Sequence, residues 1–245
     1  MSRRWGTLTL CAALLLLATG CERPPSAAGF AVAYEEPDAA ARDDARFLRE
    51  RGIAEAAAAA LNGYVDLPYR VTVLALSCGG EGSGYDPATR RIELCYEDLT
   101  EERELFEAAG RGPADEEAAA VMTETVYHEA GHALAAARGL RFDGDRAEED
   151  AADRFAALML IREGPDGERK LRIAAEAYDL TAAEPADPGP DEHAPPAARA
   201  AAHRCLLHGA APQRHPDLAA RTRGCAPAWP EARDAWTRDL APLLK

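Results

Sequence analysis

Residues 128–132 read His-Glu-Ala-Gly-His, and seventeen positions after the second histidine comes Glu149, opening Glu149-Asp150-Ala151-Ala152-Asp153. On a helix, positions i and i+4 share one face, so His128 and His132 can aim ring nitrogens at a single ion. Glu129 sits about 100° round the same helix and faces the space beside that ion. A carboxylate there can take a proton from water that zinc has acidified to a pKa of about 7. The helical setting has local support. Residues 115–138 (DEEAAAVMTETVYHEAGHALAAAR) are rich in helix formers, contain no proline, and are followed by Gly139 as a C-cap. Gly131 inside this helix costs about 1 kcal/mol relative to alanine, which points to close packing beneath the site.

The five-residue pattern alone specifies three residue types, and chance can supply it. A second helix adds weight. Asp145-Arg146-Ala147-Glu148 has capping-box spacing, with Asp145 as the N-cap and Glu148 folding back onto it. That makes Glu148 structural and leaves Glu149, in the first turn, free to bind metal. Asp153 lies four residues on, along the same face, placed to accept the outer N–H of a ligating histidine. Arg146, Glu148, Asp150 and Arg154 then read as solvated helix charges.

These motifs resemble the gluzincin side of the zincin metallopeptidases, the broad group that includes thermolysin. The resemblance implies one zinc ion held by His128, His132 and Glu149, with Glu129 as general base and Asp153 orienting a ligand. The metzincin pattern is excluded, because it needs glycine and histidine where this chain has Ala135 and Arg138. A closer resemblance runs over roughly residues 45–245. Leu67-Pro68 before a strand, Cys78, Tyr85-Asp86-Pro87, Ile92–Glu97, HEAGHAL, EEDAAD and Asp191-Glu192-His193 are similar to an exported bacterial family known only as putative metallopeptidases. Gly80–Gly84 departs from the Asn-Ala pair expected there, and residues 196–204 are richer in alanine; neither touches the expected ligands. What the family implies is an α+β, zincin-like fold, mostly helical with a small N-terminal sheet, and peptide-bond hydrolysis. It implies no particular substrate.

The first twenty residues read as a targeting segment: Arg3 and Arg4, then a short apolar core over Leu8–Ala18. The core is too short to span a bilayer as a stable helix. Leu17-Ala18-Thr19-Gly20-Cys21 resembles a lipobox, which makes Cys21 the expected lipidation site. Ordinary cleavage nearby with Cys21 left free is the other reading. Glu22 after the cysteine favours the outer membrane, periplasmic side. Residues 21–42 then form a tether, and 43–245 a single domain large enough for a sizeable core.

Two of the 28 basic residues and none of the 42 acidic ones lie in the first twenty, leaving 26 against 42, a net charge of −16. Such a surface repels nucleic acid and anionic lipid headgroups, so the membrane is met only through the anchor. The expected partner is a peptide or protein substrate. Cysteines 78, 95, 205 and 225 form no Cys-x-x-Cys pair, and export makes disulfides the default. Of three possible pairings, the expected one joins Cys78 to Cys95 across a hairpin and Cys205 to Cys225 across a C-terminal loop.

Residues 43–61 read as one amphipathic helix, and Tyr69–Leu76 and Arg91–Glu97 as strands of a hairpin joined by the glycine-rich link. If 91–97 is an exposed edge, it can pair with an extended substrate. In the proline-rich loop 184–197, His193 is the expected oxyanion donor, with Tyr178 second; a capping cluster is the alternative. Tyr127, Trp229 and Trp236 read as core, and His203, His208 and His215 as surface or packing residues. Two other functions remain open: a non-catalytic zinc-stabilised lipoprotein that binds a partner, and a zinc amidase acting on cell-wall crosslinks. Glu129 distinguishes the first, since a structural zinc needs no base.

Overall fold

The sheet forms where valine, isoleucine and leucine repeat. The computed structural model describes residues 28–183, 193–225 and 227–245. In chain order these contain β1 (Gly29–Tyr34), α1 (Arg42–Arg51), α2 (Ile53–Tyr64), β2 (Arg70–Leu76), β3 (Gly84–Asp86) and β4 (Arg91–Cys95). Then come α3 (Tyr96–Ala108), α4 (Asp115–Arg138), α5 (Asp145–Arg162), α6 (Pro165–Thr181), α7 (Pro196–Ala210), a 3-10 turn (Pro216–Leu218) and α8 (Ala228–Leu240). The fold is α+β, a four-stranded sheet followed by a helical body. Val71, Val73, Ile92 and Leu94 are fully buried and face the helices. One apolar core runs from Phe30 in β1 to Leu240 in α8. Trp236 closes it, its ring tilted against Phe155 with centroids 4.9 Å apart and its indole N–H donated to the Ala151 carbonyl at 3.0 Å. Trp229 packs against the same core while partly exposed, and Tyr127 is fully buried with its hydroxyl on Glu163 at 2.5 Å.

Several expectations are corrected. The sheet order is β1-β2-β4-β3, and β2 pairs with β4 in parallel, so the two do not form a hairpin. The hairpin is β3–β4, antiparallel, turning through Pro87–Arg90. Asp86 shapes that turn by accepting from the Ala88 amide (2.8 Å) and the Thr89 hydroxyl (2.6 Å), and Arg90 takes a positive φ of 56°. β4 is therefore interior, and the edge strands are β1 and β3. Residues 29–34, expected in the tether, are β1 instead. Phe30 and Val32 match the β2 pattern in parallel register, and Asn62 bonds both the amide and the carbonyl of Phe30 at 2.8 Å. The single helix expected over 43–61 is broken at Gly52, whose φ of 62° ends α1.

Both disulfides pair as expected, Cys78–Cys95 and Cys205–Cys225. The first joins the chain just past β2 to the end of β4, linking two parallel neighbours rather than bracing a hairpin. No helix among the described residues is long and apolar enough to cross a membrane. The expected signal segment and Cys21 lie outside the described residues.

Candidate metal centre

The site lies where α4 packs on α5. Gly131 lets the two helices approach: a Cβ there would stand 3.0 Å from the Ala152 Cα and 3.3 Å from the Cβ atoms of Ala152 and Phe155. That contact brings His128 and His132, on α4, against Glu149 and Asp153, on α5. His128 Nε2 is 3.0 Å from Glu149 Oε2, His132 Nε2 is 3.3 Å from Glu149 Oε1, and the two Nε2 atoms are 3.2 Å apart. Donors held at about 2.0–2.1 Å by a tetrahedral ion stand about 3.3–3.4 Å from one another. Two imidazoles and a carboxylate at this spacing suit one divalent cation of intermediate softness.

Each histidine is oriented from behind. His128 Nδ1 lies 2.9 Å from Asp153 Oδ1 and His132 Nδ1 lies 3.1 Å from Glu148 Oε1, which turns both Nε2 atoms inward. The capping box at 145–148 is thus not made. Gly144 is the N-cap, no side chain caps the helix, and Glu148 instead supports a histidine. Arg146, read as a solvated charge, donates to the His193 carbonyl at 2.7 Å as well as reaching Asp150.

The field is strongly negative. Burial disfavours the His128 imidazolium, yet hydrogen bonds to Asp153 and Glu149 outweigh it and push the pKa up to about 10. Burial raises the Glu149 carboxyl too, but its hydrogen bonds to His128, His132 and His193 hold it far below the carboxylate range. Both shifts favour positive charge at this point. Glu129 differs: burial dominates and lifts its pKa, against the pull of His128 and His132. It opens onto a cavity of about 320 Å³ shared with His128, His132, Glu149, His193 and the β3 residues Gly84 and Tyr85. His193 Nε2 is 2.9 Å from Glu149 Oε2; Asp191 and Glu192 lie outside the described residues.

Arg199, on α7, was not foreseen. It forms two bonds to Asp153, Nε to Oδ2 at 2.9 Å and Nη2 to Oδ1 at 2.6 Å, and lies 4.2 Å over the Tyr178 ring. Glu124, one turn before His128, was also missed; it is 2 % exposed and accepts from His203 Nε2 at 3.0 Å. His203 and His215 follow the packing reading rather than the surface one. His203 is fully buried, and His215 is buried against Glu168 at 2.9 Å, while His208 meets the Thr222 hydroxyl at 2.9 Å. Tyr178 reaches Glu124 only at 3.5 Å and lines, with Arg199, Glu129 and His193, a smaller cavity of about 160 Å³. The signal for the missed residues was helical spacing. Glu124 precedes His128 by four, and Arg199 precedes His203 by four in an otherwise alanine-rich run.

A family model described as "Putative metallopeptidase" matches residues 34–240. No curated protein and no solved structure gives a match.

Proposed function

The chain belongs to that metallopeptidase family, and on that premise we propose that it is a zinc-dependent peptidase of the bacterial cell envelope, lipid-anchored at Cys21. One observation carries the proposal. Two imidazole nitrogens and the Glu149 carboxylate converge at 3.0–3.3 Å, with the Glu129 carboxyl opening onto the same cavity.

His128, His132 and Glu149 would hold the zinc. When bound, zinc supplies a Lewis acid that acidifies water and polarises the scissile carbonyl. Glu129 takes the proton of the attacking water and returns it to the leaving amine. Asp153 and Glu148 keep the Nδ1 protons in place, so the lone pairs of both ligating rings stay aimed inward. His193 donates to the oxygen that gains charge in the tetrahedral intermediate. The β3 edge, with Gly84 and Tyr85 lining the cavity, offers backbone groups to an extended peptide.

The test is Glu129→Gln beside Glu149→Ala. Glu129→Gln is expected to retain about one metal per chain and lose peptide-library hydrolysis; Glu149→Ala is expected to lose the metal. Hydrolysis at the wild-type rate by Glu129→Gln would remove this base from the mechanism, and metal content indifferent to Glu149 would end the three-ligand reading.

A further inference from the structure

Three imidazoles converge on Glu149, not two. His193 Nε2 stands 2.9 Å from Glu149 Oε2, the oxygen that also lies 3.0 Å from His128 Nε2. The His193 and His128 rings are tilted by 34°, with centroids 5.8 Å apart. One donor atom from each of His128, Glu149 and His193 lies within 4.8 Å of the other two. Asp153 also touches a ligand, but from behind, at the outer nitrogen of His128. His193 instead meets the Glu149 carboxylate itself. It lines the open cavity together with Glu129 and His132.

The backbone of His193 is fixed although its ring is partly exposed. Arg146, on the helix that carries Glu149, donates to the His193 carbonyl at 2.7 Å. Ala194 is buried, and Pro195 and Pro196 lead directly into α7. The imidazole is 34 % exposed, so rotation about its own side-chain bonds can carry it away from the centre without moving the chain.

We propose that His193 is a fourth, displaceable metal ligand, completing a three-histidine, one-glutamate set in the resting protein and yielding its position to the incoming water or substrate oxygen. A centre closed by four protein ligands has the form of a structural site, whereas hydrolysis needs an open position. A ligand that rotates away reconciles the two forms and leaves the same imidazole beside the oxygen it then hydrogen-bonds. The inference rests on the metal-site reading above.

X-ray absorption at the zinc edge, on the full chain loaded with zinc alone, counts imidazoles directly. Three are expected in the wild type, and two after His193→Ala or His193→Gln. Acetohydroxamate, a small chelating carbonyl analogue, is expected to bring the wild-type count from three to two. Loss of a group that only orients a ligand costs about 10–100-fold in affinity, so loss of a ligand should weaken zinc binding at least about tenfold. Two imidazoles in the untreated wild type would overturn the proposal without touching the three-ligand centre. A count that stays at three with acetohydroxamate bound would make His193 a fixed ligand and overturn its displacement. Failure of the wild type to bind zinc would remove both this inference and the reading beneath it.

Discussion

Arg199 grips Asp153 through two bonds, from Nε at 2.9 Å and from Nη2 at 2.6 Å, and Asp153 in turn holds Nδ1 of His128 at 2.9 Å. Both members are largely buried, with side chains 13 % and 7 % exposed. Removing one partner of such a pair strands a buried charge, which typically costs about 3–5 kcal/mol. Arg199→Met is expected to destabilise the fold on that scale and to weaken metal binding by about 10–100-fold through loss of ligand orientation. Arg199→Lys keeps the charge but not the two-pronged geometry and should fall between. Denaturant melts and chelator-competition titrations measure the two effects. Unchanged metal affinity in Arg199→Met would show that Asp153 holds His128 unaided.

Gly131 is where α4 meets α5 most closely. A methyl group there would press on the Ala152 Cα at 3.0 Å, which is backbone and cannot turn aside. Helix propensity favours alanine by about 1 kcal/mol, while overpacking typically costs about 1–3 kcal/mol. Gly131→Ala is therefore expected to lower stability by about 0–2 kcal/mol and to weaken metal binding, since the candidate ligands sit on both helices. A variant more stable than wild type would refute the close-packing account.

Glu102 is a pH-dependent weak point outside the candidate ligand set. Its Oε2 is buried without a partner, and burial, reinforced by Glu124 and Asp98, pushes its pKa up to about 7. Since the folded state holds this proton more tightly than the unfolded chain, the contribution is fully present below the ordinary carboxyl pKa. It is lost as pH rises towards and through about 7. Glu102→Gln should remove that loss, giving a stability advantage over wild type that grows by roughly 1–3 kcal/mol between pH 4.5 and 8. Parallel melts across that range would show a constant offset if Glu102 does not titrate there.

The Cys78–Cys95 disulfide and Ser83 hold the glycine-rich segment that leads into β3. Ser83 donates its hydroxyl to Asp98 at 2.6 Å and accepts from the Cys95 amide at 2.9 Å. A disulfide closing a loop of this length contributes about 3 kcal/mol. Replacing both cysteines by alanine should lower stability by about that much and open residues 79–84 to limited proteolysis. Equal cleavage in the oxidised and alanine forms would show that Ser83 and Asp98 hold the segment alone.

Local periodicity made the helical body and its face legible in advance. The i, i+4 spacing puts His128 and His132 on one side of α4, with Glu129 round the turn, and Gly131 marks the tight helix contact. The spacing also held Glu124 and Arg199, but a single charge on a helix reads equally well as a solvated one. Glu148 was misassigned for a related reason: capping-box spacing is local, whereas its actual partner, His132, lies sixteen residues away.

The amino-acid sequence by itself determined the helical body around the site, the strand runs of β2 and β4 and which residue types could meet a metal, because these follow from propensities and repeats within a few residues. Only the tertiary structure decided that β2 and β4 run parallel, that Gly29–Tyr34 joins the sheet, that β3 is the edge at the cavity, and that Arg199 closes the chain of bonds behind His128. These depend on pairing between segments far apart in the chain. There the choice is made by burial of shared apolar surface and by neutralisation of buried charge, neither of which leaves a local period to read.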